Sequence, residues 1–355
     1  MEKILIKNGR VFDGEKFFFA DVLTDGDVIA KIEKNITDDA YYVFDAEGMT
    51  VSAGLVDIHT HLRGVSSAAF GIQGDLAAIP FGVTAAADAS AELGCDTVAD
   101  AFMIKTRVFA KTEVKNNHIN PEFTDKILEK YGKRAVGVKL FFDTNSPDVH
   151  DVTLLREVCE YARARGLLVM VHSSNSPCSM KELLNELSAG DILTHAYHGG
   201  KNTSLDDDFE ALNAARARGV IIDVGFAGHV HTDFHVLGEA ISRGALPNVI
   251  STDVTRLSSY LRGGRYGMTM CMSIVRTLGM SEEDIFRSVT SSAASALKMG
   301  GEWGQLRVGG RADIAVLAFT DEPFSLTDNA GNTIKSDKGY KCMLTIADGE
   351  VVYRA

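Results

Sequence analysis

The middle of the chain, from about residue 55 to residue 253, alternates helical stretches with short, almost continuous apolar runs. Between Leu154 and Arg165 the apolar residues recur at helical spacing, and Gly166 then precedes the apolar run 167–171. A glycine in that position is typical of a helix C-terminus. The same unit repeats, and the predicted strands begin at Leu55, Gly82, Val108, Val136, Leu167, Ile192, Val220 and Val249. Eight apolar strands separated by helices predict a parallel sheet closed into a (β/α)8 barrel.

Local signals agree with this architecture. Ser179 and Glu182 have the spacing of a capping box, so a helix is expected to begin there. The alternative fold, a doubly wound open sheet, requires a glycine-rich phosphate-binding turn after its first strand, and no such turn follows the run that begins at Leu55. The barrel is therefore favoured, and its chemistry is expected at the carboxyl ends of the strands.

Both ends of the chain have strand patterns instead. Near the N-terminus, apolar residues on either side of Asn8–Gly9 predict a hairpin, and near the C-terminus Asp348–Gly349 separates two further strand-like runs. We expect residues 1–52 and 306–355 to form one small β-sandwich domain, with the barrel over residues 53–305. The alternative is two unrelated β segments, one at each end.

Composition and charge narrow the functional classes. The chain has 355 residues, 45% of them hydrophobic, which is enough for one large core and a small accessory domain. Its 36 basic and 48 acidic residues give a net charge of -12, without a basic run of the kind that binds nucleic acid or a membrane surface. Five scattered cysteines indicate neither a disulfide framework nor a thiolate zinc site. We expect a cytoplasmic protein that acts on a small molecule, with homo-oligomerisation left open.

Metal-ligand residue types fall at the ends of the predicted strands. His59 and His61 follow the first apolar run, and alternate residues of a strand point to the same face, so the two imidazoles converge. His172, His195 and Asp253 end the fifth, sixth and eighth runs. Nitrogen and carboxylate ligands suit zinc or a similar divalent metal. A single strand-end histidine is more often structural, but five ligand-type residues on one rim predict a metal site.

Lys139 joins this set for a different reason. It lies in the apolar run 136–142, where burial destabilises an ammonium and the amine loses its proton readily. The neutral amine can add CO2 to give a carbamate, an anion with two oxygens that can bridge two metals. The alternative is a lysine whose ammonium extends past the rim to water.

The order His-x-His, Lys, His, His, Asp resembles the binuclear amidohydrolase superfamily, which includes dihydroorotases, hydantoinases and phosphotriesterases. The resemblance covers essentially the whole chain, including the terminal β segments. The segments 136–139, 170–172, 190–195, 220–225 and 249–253 look most similar to one branch, whose members are labelled dihydroorotase-like or deacetylase-like amidohydrolases.

The resemblance implies two divalent metals, expected to be zinc, with the ligands His59, His61, Lys139, His172, His195 and Asp253. The His-x-His pair holds the more buried metal together with Asp253, and the two later histidines hold the second. Carboxylated Lys139 bridges both metals, along with a hydroxide. Two metals lower the pKa of a bridging water far below its bulk value of ~15.7. Asp253 then accepts the hydroxide proton and delivers it to the leaving group.

Substrate selection is expected in the loops. Arg63 directly follows the histidine pair, as in dihydroorotases, where the similar arginine binds the substrate carboxylate. The alternative is an arginine that bonds loop carbonyls or a structural acid. His229 and His231 follow the seventh strand and are predicted to contact substrate, with a third metal as the less favoured alternative. The stretch 255–267 is long enough for a mobile rim or lid.

These observations predict a metal-dependent hydrolase, deacetylase-like, that cleaves an amide or ester bond in a small carboxylated molecule. A cyclic-amide hydrolase of the dihydroorotase or hydantoinase type, or a deaminase, stays open because the same scaffold performs nearly identical chemistry. Thr255 and Arg256 stand where dihydroorotases place a histidine, which speaks against that activity. A non-enzymatic scaffold protein is disfavoured, since every expected ligand type is present.

Overall fold

The computed structural model describes residues 3–63, 70–93, 102–228, 230–261 and 266–355. The predicted substrate contact His229 and residues 262–265 of the predicted lid lie outside these ranges. The described part of the lid includes a short π-helical turn over Leu257–Leu261. Its mobility stays a prediction.

The chain runs through the strands of a terminal β domain and then enters the barrel. The first five strands are β1 (Ile4–Phe12), β2 (Phe17–Asp25), β3 (Val28–Glu33), β4 (Tyr42–Asp45) and β5 (Thr50–Ala53). Within the described residues, the next nine are β6 (Leu55–Thr60), β7 (Val83–Ala91), β8 (Lys105–Lys111), β9 (Val114–Lys115), β10 (His118–Ile119), β11 (Ala135–Phe141), β12 (Leu168–His172), β13 (Ile192–Thr194) and β14 (Ile221–Ile222). Of these, β9 and β10 form only a small antiparallel hairpin.

The other seven form one parallel sheet in the order β14-β13-β12-β11-β8-β7-β6. The eighth predicted strand closes it, because Val249 bridges Asp223 just beyond β14 and Val254 bridges Thr60 at the end of β6. In the same closure the amide of Asp253 donates to the carbonyl of His59 at 2.7 Å. The (β/α)8 barrel is confirmed, and its closure brings the segments that carry His59 and Asp253 side by side.

Helices cover the barrel, and their ends follow the local signals. The α-helices of the described residues are α1 (Gly74–Ala78), α2 (Pro121–Tyr131), α3 (Val152–Arg163), α4 (Met180–Glu186), α5 (Glu210–Ala217), α6 (Phe234–Ser242), α7 (Met268–Thr277), α8 (Glu282–Val289) and α9 (Ser291–Ala296). The capping box is present at the start of α4, where Ser179 and Glu182 cap each other's backbone amides. Across the described ranges, no helix is both long enough and apolar enough to span a membrane.

Strands from both ends of the chain share the terminal domain. The C-terminal strands are β15 (Ile314–Thr320), β16 (Phe324–Thr327), β17 (Thr333–Ser336), β18 (Gly339–Ala347) and β19 (Glu350–Arg354). The main sheet has the order β19-β18-β15-β5-β1-β2-β3, and β4 also pairs with β1. Because β5 pairs with both β1 and β15, the two termini form one β-rich domain. Its buried face includes Ile6, Val22, Val51, Val316 and Leu344.

One of the two predicted hairpins is wrong. Asn8–Gly9 lies inside β1, where the pairing with β2 shifts register between Ile6 and Gly9, so the dipeptide forms a bulge instead of a turn. Asn8 adopts φ +60°, and its amide donates to Asp21 Oδ1 at 2.8 Å. The left-handed conformation that suits a hairpin turn suits this bulge equally well.

The other hairpin is confirmed. Asp348–Gly349 joins β18 to β19, with φ values of +49° and +77° that fit a two-residue type I′ turn. The boundaries predicted from the sequence, 1–52, 53–305 and 306–355, stay a prediction. The strand pairings across the termini support them.

Candidate metal centre

The carboxyl ends of the barrel strands gather all six predicted ligand residues. Parallel strands of a closed barrel end on the same rim, so residues distant in sequence meet there. The buried side chains at this rim include His59, His61, Lys139, His172, His195 and Asp253. All of them except Lys139 belong to two neighbouring clusters, named here the first group and the second group.

The first group consists of His59, His61 and Asp253, whose possible ligand atoms lie within 4.8 Å of one another. Nε2 of His61 lies 2.8 Å from Asp253 Oδ1, and Nε2 of His59 lies 3.3 Å from the same oxygen. Asp253 holds φ +48°, a left-handed conformation that is rare for a residue with a side chain. Such strain persists where surrounding structure fixes the residue, and it clusters at functional sites.

The second group consists of His172, His195 and His231, which meet the same distance limit. The ring centroid of His195 lies 4.5 Å from that of His172 and 4.1 Å from that of His231. His195 also has a positive φ, +61°. The two groups adjoin, since the rings of His59 and His195 are 5.2 Å apart.

Neighbouring groups fix the far nitrogen of several imidazoles. Nδ1 of His59 contacts the Thr194 hydroxyl at 2.9 Å, and that hydroxyl donates to Asp223 Oδ2 at 2.7 Å. Nδ1 of His61 lies 3.0 Å from the Ser90 hydroxyl. Nδ1 of His195 donates to the carbonyl of Gly225 at 2.7 Å. An imidazole anchored at Nδ1 presents Nε2 in a fixed direction, as metal-binding histidines usually do.

The protonation states also suit metal binding. Burial lowers the pKa of His172, and it lowers the pKa values of His59 and His195 well below the ordinary range, so these imidazoles are neutral near pH 7. Burial opposes ionisation of Asp253, but the adjacent His59 and His61 outweigh it and lower the pKa of the carboxyl. Neutral imidazole and ionised carboxylate are the metal-binding forms of these side chains.

Lys139 lies in β11 with its side chain fully buried. Its Nζ is 3.3 Å from His59 Nε2 of the first group. Burial lowers the pKa of Lys139 to about 8, although the charges of Asp253 and Asp223 act in the opposite direction. A substantial neutral fraction near pH 8 is what addition to CO2 requires.

Two buried carboxyls that sequence reasoning did not single out support the segments around the two groups. Asp57 accepts from the amide of Thr252 at 3.1 Å and from its hydroxyl at 2.6 Å, which ties β6 to the closing segment. Asp223 accepts from Thr194 and from Ser251. Burial raises the pKa of each carboxyl to about 7. Asp57 continues the alternation that carries His59 and His61, a signal that could have identified it. For Asp223, the only such sequence signal was its position at the end of a predicted strand.

The donor set fits a divalent metal pair. The two groups together offer five imidazoles, one carboxylate and the nearby Lys139 amine, in a buried setting. Nε2 of His172 lies 3.4 Å from Asp143 Oδ2 and makes no hydrogen bond within the described residues, so it is an orphaned buried nitrogen. Buried polar atoms without partners are uncommon and often mark a missing ion or water.

The structure gives Arg63 a partner within the protein. Its buried guanidinium donates from Nη1 to Asp88 Oδ2 at 2.8 Å and to the carbonyl of Leu62 at 2.6 Å. This pairing is the alternative stated above for the arginine. Binding of a substrate carboxylate by Arg63 stays a prediction, and that carboxylate would share the guanidinium with Asp88.

A cavity of about 460 Å3 opens beside the second group and includes His231 in its wall. Its other polar lining residues include Asp143, Asn145, Ser174, Asn175, Thr232 and Asn329. His198 also lines it, but belongs to neither metal-binding group. Amides and hydroxyls of this kind fix the orientation of a small polar ligand by hydrogen bonds.

Comparison with known proteins agrees with this geometry. The family model described as "Amidohydrolase family" matches residues 50–352. The chain is 24% identical to a deacetylase of Enterococcus faecalis over 98% of both chains, and 26% identical to a dihydroorotase of Syntrophotalea carbinolica over 99% of both. A crystal structure of an adenine deaminase aligns over 100% of both chains with a TM-score of 0.86 at 23% identity, which shows a shared fold.

The family match spans most of the chain, including the barrel with both groups and much of the terminal domain. Relatives with enzyme names extend over nearly its whole length. The residues collected at the barrel rim have the chemistry of a metal-dependent hydrolase. The chain therefore belongs to the amidohydrolase family and is a metal-dependent hydrolytic enzyme.

Proposed function

We propose that this enzyme removes an acetyl group from a small, carboxylated molecule by hydrolysing an amide or ester bond. One observation carries the proposal: two groups of metal-ligand side chains adjoin at the barrel rim, and the buried amine of Lys139 lies 3.3 Å from His59 Nε2 of the first group. The deacetylase of Enterococcus faecalis, which matches nearly end to end, supports acetyl removal in particular.

We propose that the first group holds one divalent metal and that His172 and His195 hold a second, with zinc as the expected ion. A bound pair would supply an acidified water and polarise the substrate carbonyl. The imidazoles of His59, His61 and His195 support this assignment, because their Nδ1 atoms are already anchored and little reorganisation is then needed on binding.

Lys139 is proposed to carry the bridge as a carbamate. Its neutral Nζ forms a bond to the carbon of CO2 and releases one proton, which leaves an anionic group with two oxygens. Without that reaction an ammonium would stand 3.3 Å from His59 Nε2, next to divalent cations. Such a charge arrangement is unfavourable, and the carbamate reverses its sign.

Asp253 is proposed as the group that moves the proton. Its buried carboxylate is ionised, so it can accept a proton from the attacking water. As the bond from the carbonyl carbon breaks, it returns that proton to the departing nitrogen or oxygen. The products are acetate and an amine or alcohol. The polar cavity beside the second group provides a place for the departing part of the substrate.

The test combines metal analysis with a substrate panel. Purified protein is assayed for bound metals and then for turnover of N-acetyl amino acids, acetylated hydroxy acids, hydantoins, dihydroorotate and adenine. We expect two metals per chain, with turnover of acetylated acids that is lost on chelation and restored by Zn2+. Turnover confined to hydantoins or dihydroorotate would replace acetyl removal with cyclic-amide hydrolysis. Turnover of adenine alone would replace it with deamination.

A further inference from the structure

His231 occupies a place that the resemblance to known amidohydrolases does not assign to a metal ligand. It lies in the loop after the seventh strand, but its ring lies 4.1 Å from that of His195 and 4.9 Å from that of His172. Its Nε2 lies 3.9 Å from Asp253 Oδ2, toward the first group. The side chain is 25% exposed, with one face in the cavity and the other against the ligand cluster.

We propose that His231 is a third imidazole ligand of the second metal, so that the second group holds its ion through three histidines. This inference rests on the proposed two-metal site and adds a residue to it. The possible ligand atoms of His172, His195 and His231 all lie within 4.8 Å of one another. One ion placed among them can therefore be reached by all three side chains with small rotamer adjustments.

The orientation of His231 supports the assignment. Its Nδ1 lies 3.2 Å from the hydroxyl of Ser174, which leaves Nε2 as the nitrogen directed at the cluster. His59, His61 and His195 are anchored through Nδ1 in the same way. A histidine that only lined the cavity would have no need of this arrangement, since either nitrogen could then bond substrate.

The ligand set has a consequence for metal preference. The first group combines two imidazoles with a carboxylate, whereas the second group, with His231, offers three neutral imidazoles. Imidazole ligands favour zinc, cobalt, nickel and copper over magnesium and manganese, which prefer oxygen ligands. The second site is therefore expected to reject magnesium and manganese more strongly than the first.

The test measures metal binding directly. The wild type and the variants His231→Asn, His172→Asn and His235→Asn are stripped of metal and retitrated with Zn2+ and with Co2+ against a chelator. His172→Asn is the positive control for the second site. His235 is exposed at the start of α6, and its replacement is the matched control for loss of a histidine in the same region.

We expect His231→Asn to weaken binding of the second metal equivalent by at least about tenfold, because even indirect supports of a ligand contribute that much to metal affinity. The first equivalent should be unchanged, and the visible absorption of the second Co2+ should shift. His172→Asn should behave alike, and His235→Asn should match the wild type.

Two other outcomes would contradict the inference, and they have different consequences for the proposed two-metal site. If His231→Asn binds both equivalents like the wild type while His172→Asn does not, His231 is no ligand, and the proposed hydrolase stands. If the wild type itself binds fewer than two metals, the two-metal site fails and the inference with it.

A measurement on the unmutated enzyme guards against variants that fold poorly. Protein with 15N-labelled histidine is loaded with 113Cd2+, and the imidazole nitrogens coupled to cadmium are counted by NMR. Five coupled imidazoles, one of them lost in His231→Asn, agree with the proposal. Four coupled imidazoles in the wild type contradict it.

Discussion

The first group and the second group at the barrel rim are built differently. The first group is closed: His59, His61 and Asp253 are buried, and backbone bonds between β6 and the closing segment lock them together. The second group is open: His231 comes from a loop and faces a polar cavity. A site with one closed and one open side can hold a metal firmly on the first and admit substrate on the second.

The difference follows from where each group lies in the barrel. At the closure of the barrel, the segment that carries Asp253 is hydrogen-bonded directly to the strand that carries His59. The Asp253 amide donates to the His59 carbonyl. In the second group, β12 and β13 pair directly, with His172 opposite Thr194, and His231 is the member that comes from a loop. We therefore expect changes at the first group to affect chemistry and changes at the second to affect substrate and metal exchange.

The largest effect is expected when Lys139, the proposed bridge between the two groups, is replaced. Lys139→Ala should lose binuclear metal binding and should reduce turnover by more than the roughly 10²–10⁴-fold contribution of one acid–base group. A short carboxylic acid added to the variant should restore part of the activity by replacing the missing bridge. Metal content and kcat, with and without added acid, are the measurements. Two metals per chain and full turnover without acid would show that Lys139 is not the bridge.

The next effect concerns Asp253 of the first group. Asp253→Asn keeps the shape of the residue but removes the group that accepts the proton, so kcat should fall roughly 10²–10⁴-fold. KM should change little, because the cavity on the open side is intact. The wild type and variant are compared by steady-state kinetics on one acetylated acid. A variant within a few-fold of the wild-type kcat would exclude Asp253 from proton transfer.

The rate at which the Lys139 carbamate forms is expected to depend on pH. Lys139 reacts with CO2 only as the neutral amine, and its pKa in the metal-free protein is about 8. Between pH 7 and pH 9 the neutral fraction should rise from about 10% to about 90%, so carbamate formation should be about tenfold faster at the higher pH. The rate is followed by 13C NMR with 13CO2 at a fixed dissolved concentration. Lys139→Met is the blank, and a rate that falls with rising pH would contradict this mechanism.

The smallest expected effect lies outside both groups. Arg63→Met should lower kcat/KM by roughly tenfold or more for an acetylated acid, since a hydrogen bond to a charged partner contributes about 1.5–3 kcal/mol. The methyl ester of the same acid should be hardly affected. Because Arg63 also pairs with buried Asp88, the unfolding free energy of the variant is measured alongside. Equal losses on acid and ester would assign Arg63 to support of the loop, and the carboxylate requirement would then be dropped.

Much of the site could be predicted because its signals are local. The alternation of apolar runs and helices, and the position of His59, His61, His172 and His195 at strand ends, are properties of short stretches of sequence. The capping box at Ser179 could be recognised from the sequence in the same way. Turn chemistry was less specific: Asn8–Gly9 and Asp348–Gly349 carry the same left-handed preference, yet one became a bulge and the other a turn.

The sequence by itself determined the barrel and the histidine, lysine and aspartate side chains at several of its strand ends. Tertiary structure alone decided that His231 joins the second group, that Asp57 ties the closing segment to β6, and that Arg63 pairs with Asp88. The physical reason is the distance along the chain between the residues that interact. Helix and strand patterns arise from neighbours along the chain, whereas these contacts join residues 25 to 195 positions apart and exist only once the barrel has closed.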